Sequence, residues 1–499
     1  MRGKKALKNV FTSLLLQLIS MICGFITTYQ IIKTYGSGIN GLLASITQFL
    51  SYITLLESGF GSVLKSVLYK PIANNNKKEI NSILSSSNSF FRKIAYIFIV
   101  YVSILCFILP NVLSKNFEIL FTISLILILG ISVFVEYYFG LTYTLFLQAE
   151  QKNYITSITK IITLIINTIA VVLLIKIGMN IQIVKLASVL IFLLRPIIQY
   201  IYIKKKYEIK IEKKSNYVIK QKWDGIAQHI AYVIYNNTDV VLLTLFCDIK
   251  EVSVYALYAN ITNGVCNLVK SFSNGMDSSF GNMIAKKEHD TLNRSFSAYE
   301  GFYFTISTII FSALLFSIVP FINIYVGKIS DINYIRPLFA YLIVIDRYIS
   351  TIREPYNSLI IAAGHFKETR YGNYIESFLN IFISLILVTK YGIVGVMIGT
   401  LFAISFRTMS FMYHTSKFIL KRNIIKNIKR VLITICEFLI IFMISKIIII
   451  NSNNYINWFI DSIIFTFIST FAVFIINRLF YKENVSNILS IFKNIIKRS

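Results

Sequence analysis

The stretch Gly41 to Leu64, GLLASITQFLSYITLLESGFGSVL, is an apolar run ending on Glu57-Ser58-Gly59-Phe60-Gly61. A second apolar run, 220 residues later, ends on Asp277-Ser278-Ser279-Phe280-Gly281. A further echo pairs Asn167, Lys176, Gly178 and Arg195 with Asn380, Lys390, Gly392 and Arg407 at similar spacing. Internal repeats in an apolar chain point to two structural halves, the plan of a secondary transporter. Both echoes carry a charge where lipid is expected.

Composition sets the class. Of 499 residues, 56% are hydrophobic, the mean hydropathy is +0.67 and only 6 are proline, which excludes a soluble globular domain. Runs of the length that crosses a bilayer core follow one another from Val10–Ile32 to Trp458–Phe480, fourteen in all. In lipid they must be helical, because a helix satisfies its own backbone hydrogen bonds. The last two runs fall outside both echoes.

The net charge of +27 fixes orientation. With a cytoplasmic N-terminus, 36 of the 50 Lys and Arg residues fall in inner segments and nine in outer loops. The other five, Arg195, Lys270, Arg347, Arg353 and Arg407, lie within helices. This bias is the positive-inside pattern, and it places both termini in the cytoplasm. Nucleic-acid binding is excluded, since the basic residues flank membrane segments instead of forming a soluble basic domain. The first apolar run is too long for a signal peptide, lacks an Ala-x-Ala site and leads into further spans. The five cysteines form no CxxC pair and the four histidines have no metal-ligand spacing, so no metal or cofactor is expected.

The expected fold is all-α and polytopic, with two parallel six-helix lobes and a C-terminal helix pair. Residues 1–203 form the N-terminal lobe, 204–223 a basic cytoplasmic linker, 224–420 the C-terminal lobe, and 421–499 the helix pair with a basic tail. Each lobe has an even number of helices, so both enter from the same side. The repeat is therefore parallel, and substrate is expected between the lobes near the midplane.

Helical wheels sort the candidate site residues. On the tenth span Asp346, Arg347, Arg353 and Glu354 share one face, and Pro355 should bend the helix there. The eighth span aligns Tyr255 and Lys270 with Asp277, and the seventh aligns Tyr232 and Tyr235 with Asp239, with Asn236 at the margin. Charges at this depth are costly, so they pair with one another or face water. Plainer readings compete with the functional one. Arg195, Lys270 and Arg407 are near enough to the inner side to snorkel, Asp346–Arg353 and Arg347–Glu354 fit structural ion pairs, and Glu136, Glu437 and Asp461 fit interhelix bonds.

The stretches Tyr35 to Leu64 and Glu376 to Met409 (ESFLNIFISLILVTKYGIVGVMIGTLFAISFRTM) resemble the bacterial polysaccharide exporters. These are flippases of the multidrug/oligosaccharidyl-lipid/polysaccharide (MOP) superfamily. The resemblance runs from the first helix to the twelfth. It implies a V-shaped transporter with a central cavity in the bacterial cytoplasmic membrane, which moves an undecaprenyl-pyrophosphate-linked oligosaccharide from the inner to the outer leaflet by alternating access. The extra helix pair is like that of the lipid II flippases, where it forms a groove for the lipid tail. Polysaccharide polymerase and glycosyltransferases are the implied partners, membrane lipids surround a monomer, and the chain is not an enzyme.

The chemistry of the residues agrees. A pyrophosphate calls for cationic donors, with arginine gripping phosphate oxygens bidentately, and these are Arg195, Lys270, Arg347, Arg353 and Arg407. Tyr232, Tyr235, Asn236 and Tyr255 offer hydroxyls, amides and ring faces to sugars. Glu57, Asp239, Asp277 and Glu354 are the candidates for carrying H⁺ or Na⁺, as in an antiporter, or for gating. Two alternatives stand beside this reading: an ion-coupled multidrug extruder of the same superfamily, and a membrane-embedded polymerase or glycosyltransferase. The short outer loops argue against the second, and no GxxxxGK[ST] phosphate loop supports a pump.

Overall fold

The structure is a computed structural model. It describes residues 2–57, 59–114, 116–207, 226–273, 276–327, 329–447 and 454–480, with the side chains of residues 2–7, 62, 226–229, 231–232, 277–278 and 446–447 also outside the description. Residues 208–223 of the expected linker and the side chains of Tyr232 and Asp277 thus lie outside the described residues, while 204–207 continue a helix that starts at Ile181.

Among the described residues the secondary structure is entirely helical. The helices are α1 (Arg2–Ser51), α2 (Phe60–Ala73), α3 (Lys77–Leu113), α4 (Ile119–Val135), α5 (Leu141–Ala149), α6 (Asn153–Lys176), α7 (Ile181–Tyr207) and α8 (Ile226–Phe246). They continue as α9 (Ile249–Lys270), α10 (Met276–Ala285), α11 (His289–Val326), α12 (Pro337–Ile352), α13 (Glu354–Ala363), α14 (Phe366–His414), α15 (Ile425–Ile447) and α16 (Tyr455–Phe480). Where they are described, the fourteen apolar runs fall mostly on these helices. The chain is a multi-pass membrane protein.

Two helices hold two runs each, joined at a glycine. Gly36 in α1 has φ 85° and Gly392 in α14 has φ 53°, values that L side chains rarely adopt, so each helix breaks there without a loop, and at Gly392 the two arms fold back so that Asn380 Nδ2 donates to Thr400 Oγ1 at 3.0 Å. Gly392 belongs to the second echo, and its counterpart Gly178, between α6 and α7, also has positive φ, 85°. That echo is therefore a repeated helical hairpin with a left-handed glycine at its tip. The first echo repeats as well. Gly59 (φ 79°) breaks the chain before α2, and buried Phe60 lies 5.3 Å from Phe91 of α3. In α10, buried Phe280 lies 5.9 Å from Phe296 of α11.

Among the described residues, eight helical stretches are long and apolar enough to cross a membrane by length and composition. Those that fall short include α8, α9 and α12, which carry the polar residues singled out above. α12 ends at Ile352 and α13 starts at Glu354, so the interruption falls next to Pro355, as the missing proline N–H requires.

The chain divides into two compact units, residues 1–260 and 261–499, with the boundary inside α9. In the first unit α1 packs on α6, and α7 on α4 and α6. The second half of α1 lies against α8 and the start of α9 through a polar seam. Asn40 Nδ2 donates to Ser253 Oγ (2.8 Å), Ser45 Oγ and Thr244 Oγ1 are 2.7 Å apart, and Gln48 Nε2 donates to Asn237 Oδ1. A Cβ at Gly41 would overlap the carbonyl oxygen of Ile249. Gly41→Ala is accordingly expected to cost about 1–3 kcal/mol; a thermal melt in detergent showing no loss would contradict this packing.

In the second unit α11 is the central helix, in contact with α10, α12, α13, α15 and α16. The C-terminal pair docks on it through Phe316 stacked on Phe465 (centroids 3.8 Å apart) and Trp458 Nε1 donating to Ser317 O (2.9 Å). Glu437 accepts from Asn477 at 2.7 Å, joining α15 to α16 as an interhelix bond. A cavity of about 230 Å³ lies among α11, α12, α15 and α16, lined mainly by Leu315, Phe316, Val319, Phe438, Ile441 and Phe465.

Candidate functional site

Four of the five intramembrane cations fall in the second unit, and the fold collects them on the contacts of α9, α12 and α14. Lys270, the last residue of α9, donates from Nζ to Ser350 Oγ of α12 at 3.0 Å. The end of α9 is further held by Cys266 Sγ, 3.3 Å from Thr351 Oγ1, and by Tyr303 of α11, whose hydroxyl donates to Val269 O at 3.0 Å. Ser350 lies three residues from both Arg347 and Arg353, so all three share a face of the α12 segment.

The ion pairs are arranged differently from the helical-wheel expectation. Arg347 Nη1 lies 2.8 Å from Asp346 Oδ2, both residues being buried. Arg353 Nη1 donates to Glu376 Oε1 of α14 at 2.8 Å. Arg407, from the other half of α14, brings Nε to 3.6 Å from Glu376 Oε2. One buried carboxylate thus sits between two guanidinium groups. A wheel drawn for a single helix has no means of showing a partner on another, which is why Glu376 was missed. The signal was present, since Glu376 lies 31 residues before Arg407 on the two arms of a hairpin whose tip is Gly392.

Arg407 is only 1% exposed and heads the largest fully buried side chains. It is held by Nη1 donating to Thr369 O (3.0 Å) and by Phe411, whose ring centre lies 4.0 Å from the guanidinium carbon. Gly372 makes the room: a Cβ there would collide with Arg407 Nη1 and come within 3.1 Å of Ser410 Oγ. Arg407 Nη2 is buried and has no hydrogen-bond partner among the described residues. A buried charged donor without a partner is costly. Glu354 opens α13 half-buried beside Arg353, within electrostatic reach of Tyr299 and Tyr303.

The remaining candidates lie in the first unit. Arg195 is half-buried; its Nε donates to Thr163 Oγ1 at 2.9 Å and its guanidinium carbon stands 4.0 Å from the Phe192 ring centre. Glu136, which opens a single π turn between α4 and α5, is its electrostatic neighbour. Glu57 accepts from Tyr137 Oη at 3.4 Å at the break before α2. Asp239, 2% exposed, accepts from Tyr255 Oη at 2.9 Å, which ties α8 to α9 beside the Gln48–Asn237 bond. Tyr235 is buried and Asn236 exposed. The second unit thus gathers Asp346, Arg347, Arg353, Glu376 and Arg407 into paired charges, α8 and α9 hold a hydrogen-bonded group around Asp239, and Arg195 and Glu57 are bonded elsewhere in the first unit.

Comparison with known proteins bears on what this geometry serves. The profile of a family described as "Polysaccharide biosynthesis protein" matches residues 6–275. No curated protein matches the chain. Among solved structures, the lipid II flippase MurJ in an inward closed conformation aligns with TM-score 0.69 and 15% identity, covering 94% of this chain and 99% of that one. An outward-facing multidrug resistance MATE family transporter of the MOP superfamily aligns at 0.61 with 10% identity, over 83% and 95% of the two chains. A mutant of the Vibrio cholerae MATE transporter VcmN aligns at 0.58 with 14% identity, over 84% and 98%. At these identities the likeness is one of fold.

Proposed function

The chain belongs to the polysaccharide biosynthesis protein family, matched over more than half its length, and from that premise we propose that it is a flippase for a lipid-linked oligosaccharide. The substrate is an undecaprenyl-pyrophosphate-linked glycan, moved by alternating access from the inner to the outer leaflet of the bacterial cytoplasmic membrane. The observation that carries this reading is the cluster of Lys270, Arg347, Arg353 and Arg407, with a buried guanidinium nitrogen left unpartnered. A pyrophosphate leaving water needs such a concentration of fixed donors, and arginine's planar fork matches its oxygens. Four cations against the three carboxylates Asp346, Glu354 and Glu376 leave a net positive charge, which disfavours a cationic drug and weighs against the extruder reading.

The sugars fall to hydroxyl and amide groups such as Tyr235, Asn236 and Tyr255. The polyprenyl tail stays in apolar surroundings, and the cavity among α11, α12, α15 and α16 suits it by its lining. Asp239 and Glu354, with Glu57 and Asp277, are the carboxylates proposed for coupling to H⁺ or Na⁺. Polymerase and glycosyltransferases of the same biosynthesis are the proposed partners.

Deleting the gene is expected to leave lipid-linked oligosaccharide on the cytoplasmic face and to strip polysaccharide from the cell surface. An unchanged surface glycan together with gained drug sensitivity would replace this function with drug extrusion. Flipping in proteoliposomes should slow at least about tenfold when proton and sodium gradients are both collapsed. Unchanged flipping would make the carboxylates structural.

A further inference from the structure

Glu376 has no role in the reading above, yet it occupies the middle of the site. It is 4% exposed, bonded to Arg353 at 2.8 Å and faced by Arg407 at 3.6 Å. Its two oxygens meet the two guanidinium groups as two oxygens of a phosphate would. Full engagement of a diphosphate by Arg353 and Arg407 is incompatible with a carboxylate that keeps both. In a low-dielectric site two anions do not share two cations without large repulsion.

We infer that Glu376 is the resident counter-anion of the site: it holds Arg353 and Arg407 when no substrate is bound, and yields them to an incoming diphosphate while taking up one proton. This rests on the phosphate reading of the cluster. The proton follows from the exchange itself. A buried carboxylate that loses its cations is left in an environment that disfavours charge, so the neutral acid forms. When the diphosphate leaves, the acid gives up its proton and the carboxylate recaptures the arginines. The device keeps both guanidinium groups, buried Arg407 and half-buried Arg353, satisfied throughout the cycle, which an apolar residue at this position would not. Proton and diphosphate then bind together, and binding of each favours binding of the other by the same factor.

Other charged groups face Glu376 and must be separated from it in a test. They are Arg353 where α12 meets α13, Arg407 on the same hairpin and Asp346 on α12, with Arg347 paired to Asp346, and Glu354 on α13 and Lys270, bonded to Ser350, on the neighbouring elements. The pair His365 and His414, 3.0 Å apart at the two ends of α14, acts on the Arg407 side. Comparison with Glu376→Gln isolates the one group, because all the others are unchanged.

The probe is inorganic pyrophosphate, titrated calorimetrically into the full-length protein in detergent across a range of pH. Glu376→Gln should bind it about tenfold or more tightly than wild type near pH 7.5, with the ratio shrinking toward one as the pH falls to about 5.5. Glu376→Asp, which keeps the charge at shorter reach, should fall between them and keep the pH dependence; it serves if the glutamine variant does not fold. Equal affinities and parallel pH profiles for wild type and a folded variant would overturn the counter-anion role and leave the phosphate site standing. Binding that is also unaltered in Arg353→Ala would instead overturn the phosphate site.

Discussion

Arg407→Ala is expected to abolish export, lowering surface polysaccharide by about a hundredfold or more in a complemented deletion strain, while the protein still inserts in the membrane. The expectation follows from three features of one side chain. It is fully buried, it shares Glu376 with Arg353, and its Nη2 points to no protein acceptor among the described residues. Truncation removes a fully buried guanidinium group, one nitrogen of which has no partner among the described residues. Arg407→Lys should restore little, because an ammonium is a point charge and cannot bond a phosphate and Thr369 O from opposite edges. Lys270→Ala should lose export less completely, since Lys270 already spends one of its donors on Ser350. Normal surface polysaccharide in both alanine variants would remove the cationic cluster from the mechanism.

Glu300→Ala carries the largest expected loss of stability. Glu300 is 3% exposed on α11; Oε1 accepts from Arg422 at 2.6 Å and from Tyr356 Oη of α13 at 2.5 Å, and Oε2 lies 3.3 Å from Arg430 Nη1 of α15. Arg422 also donates to Asn427 at 2.7 Å, and Asn427 donates to Ser416 at 2.9 Å, so the network binds the end of α14 to the start of α15. Breaking a buried pair from one side leaves uncompensated charge, a loss of about 3–5 kcal/mol, and here two arginines are stranded at once. The melting temperature in detergent should fall by several degrees, and Glu300→Gln, which retains an acceptor for Tyr356, should fall less. Equal melting of wild type and both variants would show that α15 is held by its apolar contacts alone. The consequence for function is indirect: α15 carries Phe438 and Ile441 of the apolar cavity.

The two variants differ in kind, and so does their visibility in the sequence. Arg407 stood out because a charge recurs at Arg195 with the same flanking Asn, Lys and Gly. The echo even located its structural cause, a left-handed glycine at the tip of a helical hairpin, in Gly178 and Gly392. Glu300 gave no such signal. It lies in the first part of α11, with Arg294 six residues before it, and nothing in its own stretch of sequence points to a partner. Only packing by α13 and α15 makes it a buried hub. Glu376 was hidden for a related reason, since its partners come from α12 and from the far arm of its own hairpin.

The amino-acid sequence by itself determined the class, the helical character of the apolar runs where they are described, the position of the break at Pro355 and, among the buried cations, Arg347 and Arg407. These depend on local quantities: transfer free energy per run, the missing proline N–H, and the cost of charge in lipid. Tertiary structure alone decided which charges meet. An ion pair between helices depends on the rotation and depth of both, set by close contacts such as Gly372 against Arg407, and periodicity along one helix carries no information about its neighbour.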